Sequence, residues 1–351
     1  METDRAPFVV PTEVEAVFRE FRTCEFSSLA KDGTPITWPT LPFWDADTQR
    51  FIVTTSIGFP QKVYNVRRDG RVALLFSDPT ASELDHPPSV LIQGDAVAPD
   101  EIVTTIKGIE DGLRLTYERQ PGSMIYSANP LTRYFADWYY MRLLMTVTPR
   151  AMFQWPAGKA MSRAPQRIAR NGALPAPRSA MPTENAAPTP STFGAADWRR
   201  LTGELATYAN AVLTGIDGEG YPYSVRCQPQ PDTATRTLTL AGVSAPIWEG
   251  PASLLCHWHD ERLWRQRSFL ARGRLSREGV EEDSWRFTPT RVVPGISQNP
   301  LELGRFFMGG RRAASQYLAK RHWPRPTIPW DDVIRIKREA QANLRPRGER
   351  F

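Results

Sequence analysis

The chain has 351 residues, 44 Lys and Arg against 38 Asp and Glu, and an apolar fraction of 41%, enough for two ordinary globular domains with cores of their own. No apolar run reaches the roughly 20 residues of a membrane helix, and the start, METDRAPFVVPTEVEAVF, lacks a secretion signal, so cytoplasm is the default expectation. Cys24, Cys227 and Cys256 are far apart and odd in number, which argues against a disulfide framework or zinc knuckle, while a net charge of +6 suits an anionic cofactor or substrate and also weak nucleic-acid association.

Residues 12–22 (TEVEAVFREFR) read as an amphipathic helix, with Thr12 and Glu15 placed as a capping box and Val14, Val17, Phe18 and Phe21 as its apolar stripe. A hairpin follows, turning at Asp32-Gly33. The stretch from Phe51 to Asp78 reads as strand, hydroxyl-rich turn, short helix and strand. Thr54, Thr55 and Ser56 end the first strand, Pro60 suits a helix start, and Gly70 suits its stop. Lys62 then falls in the first helical turn, close to three hydroxyls and unpaired N–H groups. That is an anion site, or else a solvated surface turn. A strand is expected at Val90–Val97, helices at 100–119 and 130–140, and a last strand at 143–155 broken at Pro149.

From 157 to 194 Ala, Pro, Ser and Arg dominate without periodicity. We read a flexible linker and a domain boundary there. The chain then repeats itself. Helix 195–209 stands for helix 12–22, and Gly220-Tyr221-Pro222 for Gly33-Thr34-Pro35. Residues 237–241 stand for the strand at Phe51, 251–256 for 71–76, the strand around Gly273 for that around Gly94, and 285–291 for 145–150. The organisation expected is a first domain over 1–156, the linker, a second domain over 195–297 and a basic helical extension over 298–351, with helices at 311–322 and 330–344.

This pattern resembles the pyridoxamine 5'-phosphate oxidase-like split-barrel family. The resemblance rests on Ala30–Pro35, on Phe51–Ser56, on Gln61-Lys62 with Asn65-Val66 and the charged residues after them, on Val72–Phe76, on Ile92–Ala96 and on Val147–Arg150. It implies a mainly β, α+β fold of two tandem split β-barrels of the FMN-binding type, able to pair internally as a pseudo-dimer. It implies FMN, or a deazaflavin coenzyme with a longer and more negative tail. The phosphate would be held by Thr54, Thr55, Ser56, Gln61 and Lys62, and the ring by Thr37, Trp38, Pro39 and Gln93. Arg67 and Arg68 are available to a negative tail, although Arg67 also suits the helix C-terminus. The second copy carries Ala241–Glu249 where the first has its hydroxyls and lysine. A glutamate there repels phosphate, so the second barrel is expected to close over the ring rather than hold a coenzyme of its own.

The function implied is a flavin- or deazaflavin-dependent oxidoreductase transferring hydride to a small molecule, with a separate electron donor. The alternatives are a non-catalytic flavin or haem carrier or sensor, and a basic nucleic-acid-associated protein, which is disfavoured. No membrane partner is expected, and the chain is expected as a monomeric pseudo-dimer or a homodimer. His257 and His259 share a strand face but lack a convincing third ligand, so no metal is assigned. Arg262, Arg265 and Arg267 with Trp264 form a basic loop, Arg226 is placed to face a shared pocket, and Glu281-Glu282 reads as a solvated turn. No nucleophile elbow, P-loop, His-Glu-x-x-His or dinucleotide fingerprint occurs, and no catalytic side chain is nominated.

Overall fold

The computed structural model describes residues 6–104, 110–157, 161, 163–170, 193–278, 284–296 and 300–344. Most of the expected linker, Glu281-Glu282 and the last residues lie outside them.

The first unit holds α1 (Thr12–Glu20), β1 (Cys24–Leu29), β2 (Pro35–Thr40), β3 (Pro42–Asp45), β4 (Arg50–Ser56), α2 (Gln61–Arg68), β5 (Arg71–Phe76), β6 (Ser89–Val97), α3 (Glu110–Arg119), α4 (Pro130–Ala136) and β7 (Arg142–Trp155), with β8 (Gln166–Arg167) added at its margin. The second holds α5 (Ala195–Leu205), β9 (Ala211–Ile216), β10 (Pro222–Cys227), β11 (Gln230–Asp232), β12 (Thr237–Leu240), β13 (Gly250–His259), β14 (Gln266–Arg277) and β15 (Trp285–Pro294). Strand order is β2-β1-β5-β6-β7-β4-β3 in one sheet and β10-β9-β13-β14-β15-β12-β11 in the other. Position for position the two orders are the same, and every pairing in both sheets is antiparallel. The chain is a tandem of two split barrels with flanking helices.

The repeat extends to single residues. Leu29 pairs with Pro35 as Ile216 pairs with Pro222. A register shift falls at Gln93/Gly94 in one barrel and at Arg272/Gly273 in the other. A β-carbon on Gly94 would lie 2.7 Å from the Thr148 carbonyl, and one on Gly273 would lie 2.4 Å from that of Thr288. Glycine recurs there because the bulged partner strand leaves no room for a side chain.

The apolar run of β5 has a use on both faces. Val72, Leu74 and Phe76 enter the core of their own barrel, while Ala73 and Leu75 join Leu91 in the core of the second. A strand buried on both sides reads as continuous hydrophobic sequence. Each barrel also grips the hairpin turn of the other. Gln93 donates from Nε2 to Asp217 Oδ2 (2.7 Å) and to the Pro222 carbonyl (3.0 Å), and Arg272 donates to Asp32 Oδ2 at 2.5 Å. The Asp-Gly turns therefore close hairpins and dock barrels at once.

Local expectations needed adjustment in several places. α1 starts after Pro11 with no side-chain cap, so the Thr12–Glu15 box does not form. Gly70 ends α2 through close approach, since a β-carbon there would be 2.7 Å from the Ala96 carbonyl. Val103 exchanges backbone hydrogen bonds with Arg142 instead of continuing a helix from 100, and part of that expected helix lies outside the described residues. β7 runs through Pro149 as one strand, with its bulge at the next residue, Arg150. The described part of the stretch after 157 is pinned. Met161 is buried, the Arg163 carbonyl accepts from Trp155 Nε1 (2.7 Å), and Gln166–Arg167 pairs with β7.

After the second barrel, α6 (Pro300–Ala319) and α7 (Trp330–Asn343) return to the first. α6 lies on α2 and on the turn before it: Phe306 stacks on Phe59 at 4.9 Å and Tyr317 on Tyr64 at 6.0 Å. Among the described residues, no helix is long and apolar enough to cross a membrane.

Candidate anion and coenzyme site

The site grows from the end of β4. Strand geometry persists to Ser56, so side chains alternate. Thr54 and Ser56 share a face while Thr55 takes the other. The Thr55 hydroxyl donates to the Phe59 carbonyl at 3.0 Å and tightens the turn into α2. Opposite Ser56, in register on β7, stands Arg142. Its guanidinium donates to the Thr54 hydroxyl and to the Tyr139 carbonyl (3.2 Å), and it lies over the Tyr139 ring at 5.0 Å. Tyr126 stacks on Tyr139 at 4.0 Å.

Lys62 enters from the first turn of α2. Burial pushes its ammonium down to about 8 from 10.5, Cys24 partly offsets this, and the Arg142 charge adds to the depression. Arg142 is likewise lowered, first by burial. Among the described residues no carboxylate pairs with either cation. Two desolvated positive charges near each other, without a counter-ion, are costly in an isolated fold. A phosphate would be held by Lys62, Arg142 and the Thr54 hydroxyl, with Ser56 beside them. Gln61 is exposed, and its amide donates to Asn65 at 2.9 Å.

The expected ring contacts sit differently. The Thr37 hydroxyl is fully buried and bonded to Ser27 and Thr214, each at 2.8 Å. The Gln93 amide is held by the second barrel's turn. Trp38 and Pro39 are half-buried on β2, Trp38 packing against the core of the second barrel. The anion end of the site thus fits a phosphate, while two of the four expected ring residues hold the barrels together. A cavity of about 340 Å³ lies elsewhere, at the end of α5 beside Tyr208, Asn210 and Gln228.

Searches of solved structures align this chain with a pyridoxamine 5'-phosphate oxidase of Listeria innocua described as putative (13% identity, 40% of this chain and 93% of that one, TM-score 0.26). They also align it with an F420 reductase (20%, 41% and 98%, TM-score 0.29) and with a pyridoxamine 5'-phosphate oxidase-related, FMN-binding protein of Nostoc punctiforme (9%, 40% and 80%, TM-score 0.29). No protein-family model matches the sequence, and no curated protein does.

Beside β2 lies a buried polar cluster between the barrels. Glu25, the cross-strand neighbour of Pro39, is fully buried. Its Oε1 accepts from Ser77 Oγ (2.9 Å) and Arg226 Nη2 (2.9 Å) and lies 2.8 Å from His257 Nε2. Asp78 stands 3.7 Å from His259 and 3.9 Å from Arg226; burial works against its charge, yet Arg226 and its other neighbours hold its carboxyl below the usual range. Arg226 thus faces the other barrel, and both histidines of β13 are buried beside carboxylates of the first unit.

Sequence reading missed Arg142 and Glu25. Arg142 follows three aromatics at the start of a strand, and nothing local sets it apart from a solvated arginine. Only the register of β4 against β7 brings it to Thr54. Glu25 was legible only as a charge within a strand whose other residues are apolar or small.

Proposed function

We propose that the first barrel binds a phosphorylated flavin or deazaflavin coenzyme and that the chain is an oxidoreductase acting on a small molecule. The pair of part-buried cations, Lys62 and Arg142, with the Thr54 hydroxyl and no carboxylate partner among the described residues, carries this reading. Such a constellation suits a group with concentrated negative charge, which stabilises both cations in return.

When bound, the coenzyme supplies hydride transfer from its own ring. Lys62 and Arg142 hold its phosphate, and the Tyr126–Tyr139 stack shields the guanidinium from water. Trp38 and Pro39 flank the ring, while the second barrel closes over β2. Residues 1–156 then carry the grip and 195–297 the cover, joined by 157–194 and extended by 298–351, in a monomeric pseudo-dimer that meets its electron donor in solution.

The test is spectroscopic. Purified full-length protein is expected to bind FMN or a deazaflavin, with the absorbance of bound flavin at about 450 nm. Lys62→Ala is expected to weaken that binding about tenfold or more, as loss of one charge-assisted contact would. Wild-type chain that binds no such coenzyme overturns the reading. Bleaching by a nicotinamide donor without oxygen supports the oxidoreductase. The engagement of Thr37 and Gln93 at the barrel interface favours a second reading, a carrier without turnover. That reading gains if coenzyme binds and no donor reduces it.

A further inference from the structure

The repeat has no counterpart for α6, and α6 packs on the turn that leads to Lys62 and on the aromatic stack behind Arg142. A β-carbon on Gly58 would come 2.6 Å from the Trp138 ring and 3.1 Å from the Gly310 carbonyl, so helix and turn touch with no side chain between them. Phe306 is stacked on Phe59, and Phe307 lies 5.6 Å from Tyr126, which backs the Tyr139–Arg142 contact. Further along α2, Tyr317 covers Tyr64.

The basic residues that follow Lys62 are already engaged. Arg67 bonds Asp100 (2.7 Å) and the carbonyls of Ala98 (2.9 Å) and Pro99. Asp100 is in turn bonded by Arg321 of the segment after α6 (2.9 Å). Arg68 bonds the Leu29 carbonyl and Asn65 (3.2 Å). Arg67, paired with Asp100, is not left for a second acidic group beyond the phosphate, and Arg68 is tied back to the first hairpin through Nη2. The charge within the site also counts. Two part-buried cations without a carboxylate partner among the described residues match a phosphate monoester near −2, whereas a diester at about −1 leaves one of these charges uncompensated.

We propose that α6 is the specificity element of this site, restricting it to a terminal phosphate monoester and excluding a phosphodiester that continues into an acidic tail. The inference rests on the coenzyme reading above and decides between its two coenzymes. Three ligands separate the possibilities on full-length protein: FMN, riboflavin (the same ring without phosphate), and the deazaflavin coenzyme with its acidic tail. FMN is expected to bind about tenfold or more tightly than either of the others by fluorescence titration. Phe306→Ala, which removes the stacking ring from the turn, is expected to narrow the gap between FMN and the tailed coenzyme about fivefold. Gly310→Leu, which cannot seat against Trp138, is expected to act in the same direction. Circular dichroism confirms that each variant is folded, and the wild-type comparison stands even where one is not. A tailed coenzyme that binds the wild type as tightly as FMN overturns the proposal while leaving the coenzyme reading intact. An unchanged gap in both folded variants also overturns it. A chain that takes none of the three overturns the coenzyme reading itself, and this inference with it.

Discussion

Ser27 of the first barrel and Ser224 of the second bring their hydroxyls within 3.2 Å of each other. Ser27 also bonds Thr37 (2.8 Å), Thr37 bonds Thr214 (2.8 Å), and Thr214 bonds Ser224 (2.9 Å), closing a buried ring of four hydroxyls. Ser27 pairs with Thr37 across β1 and β2 as Thr214 pairs with Ser224 across β9 and β10, so the ring sits where the repeat axis passes. Thr37→Val keeps the shape and leaves two hydroxyls each one partner short. It is expected to cost about 1–3 kcal/mol in urea unfolding. A cycle with Thr214→Val is expected to show coupling of at least about 0.5 kcal/mol, and strict additivity would place the two hydroxyls in separate environments.

Arg226→Ala is expected to be the most damaging change at the interface. It removes the cation beside Glu25, whose Oε1 would keep only Ser77 and His257 and whose Oε2 has no partner. Breaking such a buried pair costs roughly 3–5 kcal/mol. Differential scanning calorimetry is expected to resolve two transitions where the wild type gives one. A single transition with an unchanged midpoint would assign Arg226 no part in holding the barrels together.

Lys62 makes the anion site pH-dependent, with a definite sign. Its folded value of about 8 lies below the unfolded 10.5, because burial penalises the ammonium. Below 8 both states hold the proton and the penalty is fully present. Between the two values the unfolded chain holds a proton that the folded chain lacks, so ligand-free stability rises with pH across that window. Phosphate needs the ammonium, so coenzyme affinity is expected to fall above pH 8. Lys62→Met is expected to raise ligand-free stability at neutral pH by roughly 1–2 kcal/mol while weakening coenzyme binding. Equal melting temperatures for the two proteins from pH 7 to 10 would contradict this.

Two adjacent glycines of α6 are expected to respond in opposite ways. A β-carbon at Gly309 meets nothing within 4 Å, so Gly309→Ala should gain about 0.5–1 kcal/mol through helix propensity. One at Gly310 would lie 2.6 Å from the Trp138 ring, so Gly310→Ala should lose about 1–3 kcal/mol through overpacking. Thermal melts of the pair check whether the glycines serve packing or merely loosen the helix.

Most of the architecture was legible because the sequence says it twice. Gly94 and Gly273, and the hairpins at Gly33 and Gly220, recur because backbone crowding and turn conformation leave little choice at those positions. The place of Lys62 in the first turn of α2 was legible from strand, turn and helix grammar alone. What the sequence could not convey was which side chains meet across the barrels. Thr37 and Gln93 look equally suited to a ring or to an interface, and only the docking of the second hairpin commits their polar atoms. Strand alternation likewise separates Thr55 from Thr54 and Ser56, a distinction hidden while the strand's end is placed before them.

Joining two barrels in one chain changes what a single substitution can do. The repeat places Val212 where the first barrel has Glu25, and Pro39 where the second has Arg226. In a dimer of identical chains, any residue introduced at one end of the interface would reappear at the other, and a charge useful once would have to be tolerated twice. The tether lifts that obligation. One end of the interface carries a charged pair and the matching positions at the other carry valine and proline, just as one barrel keeps its lysine and the other a glutamate.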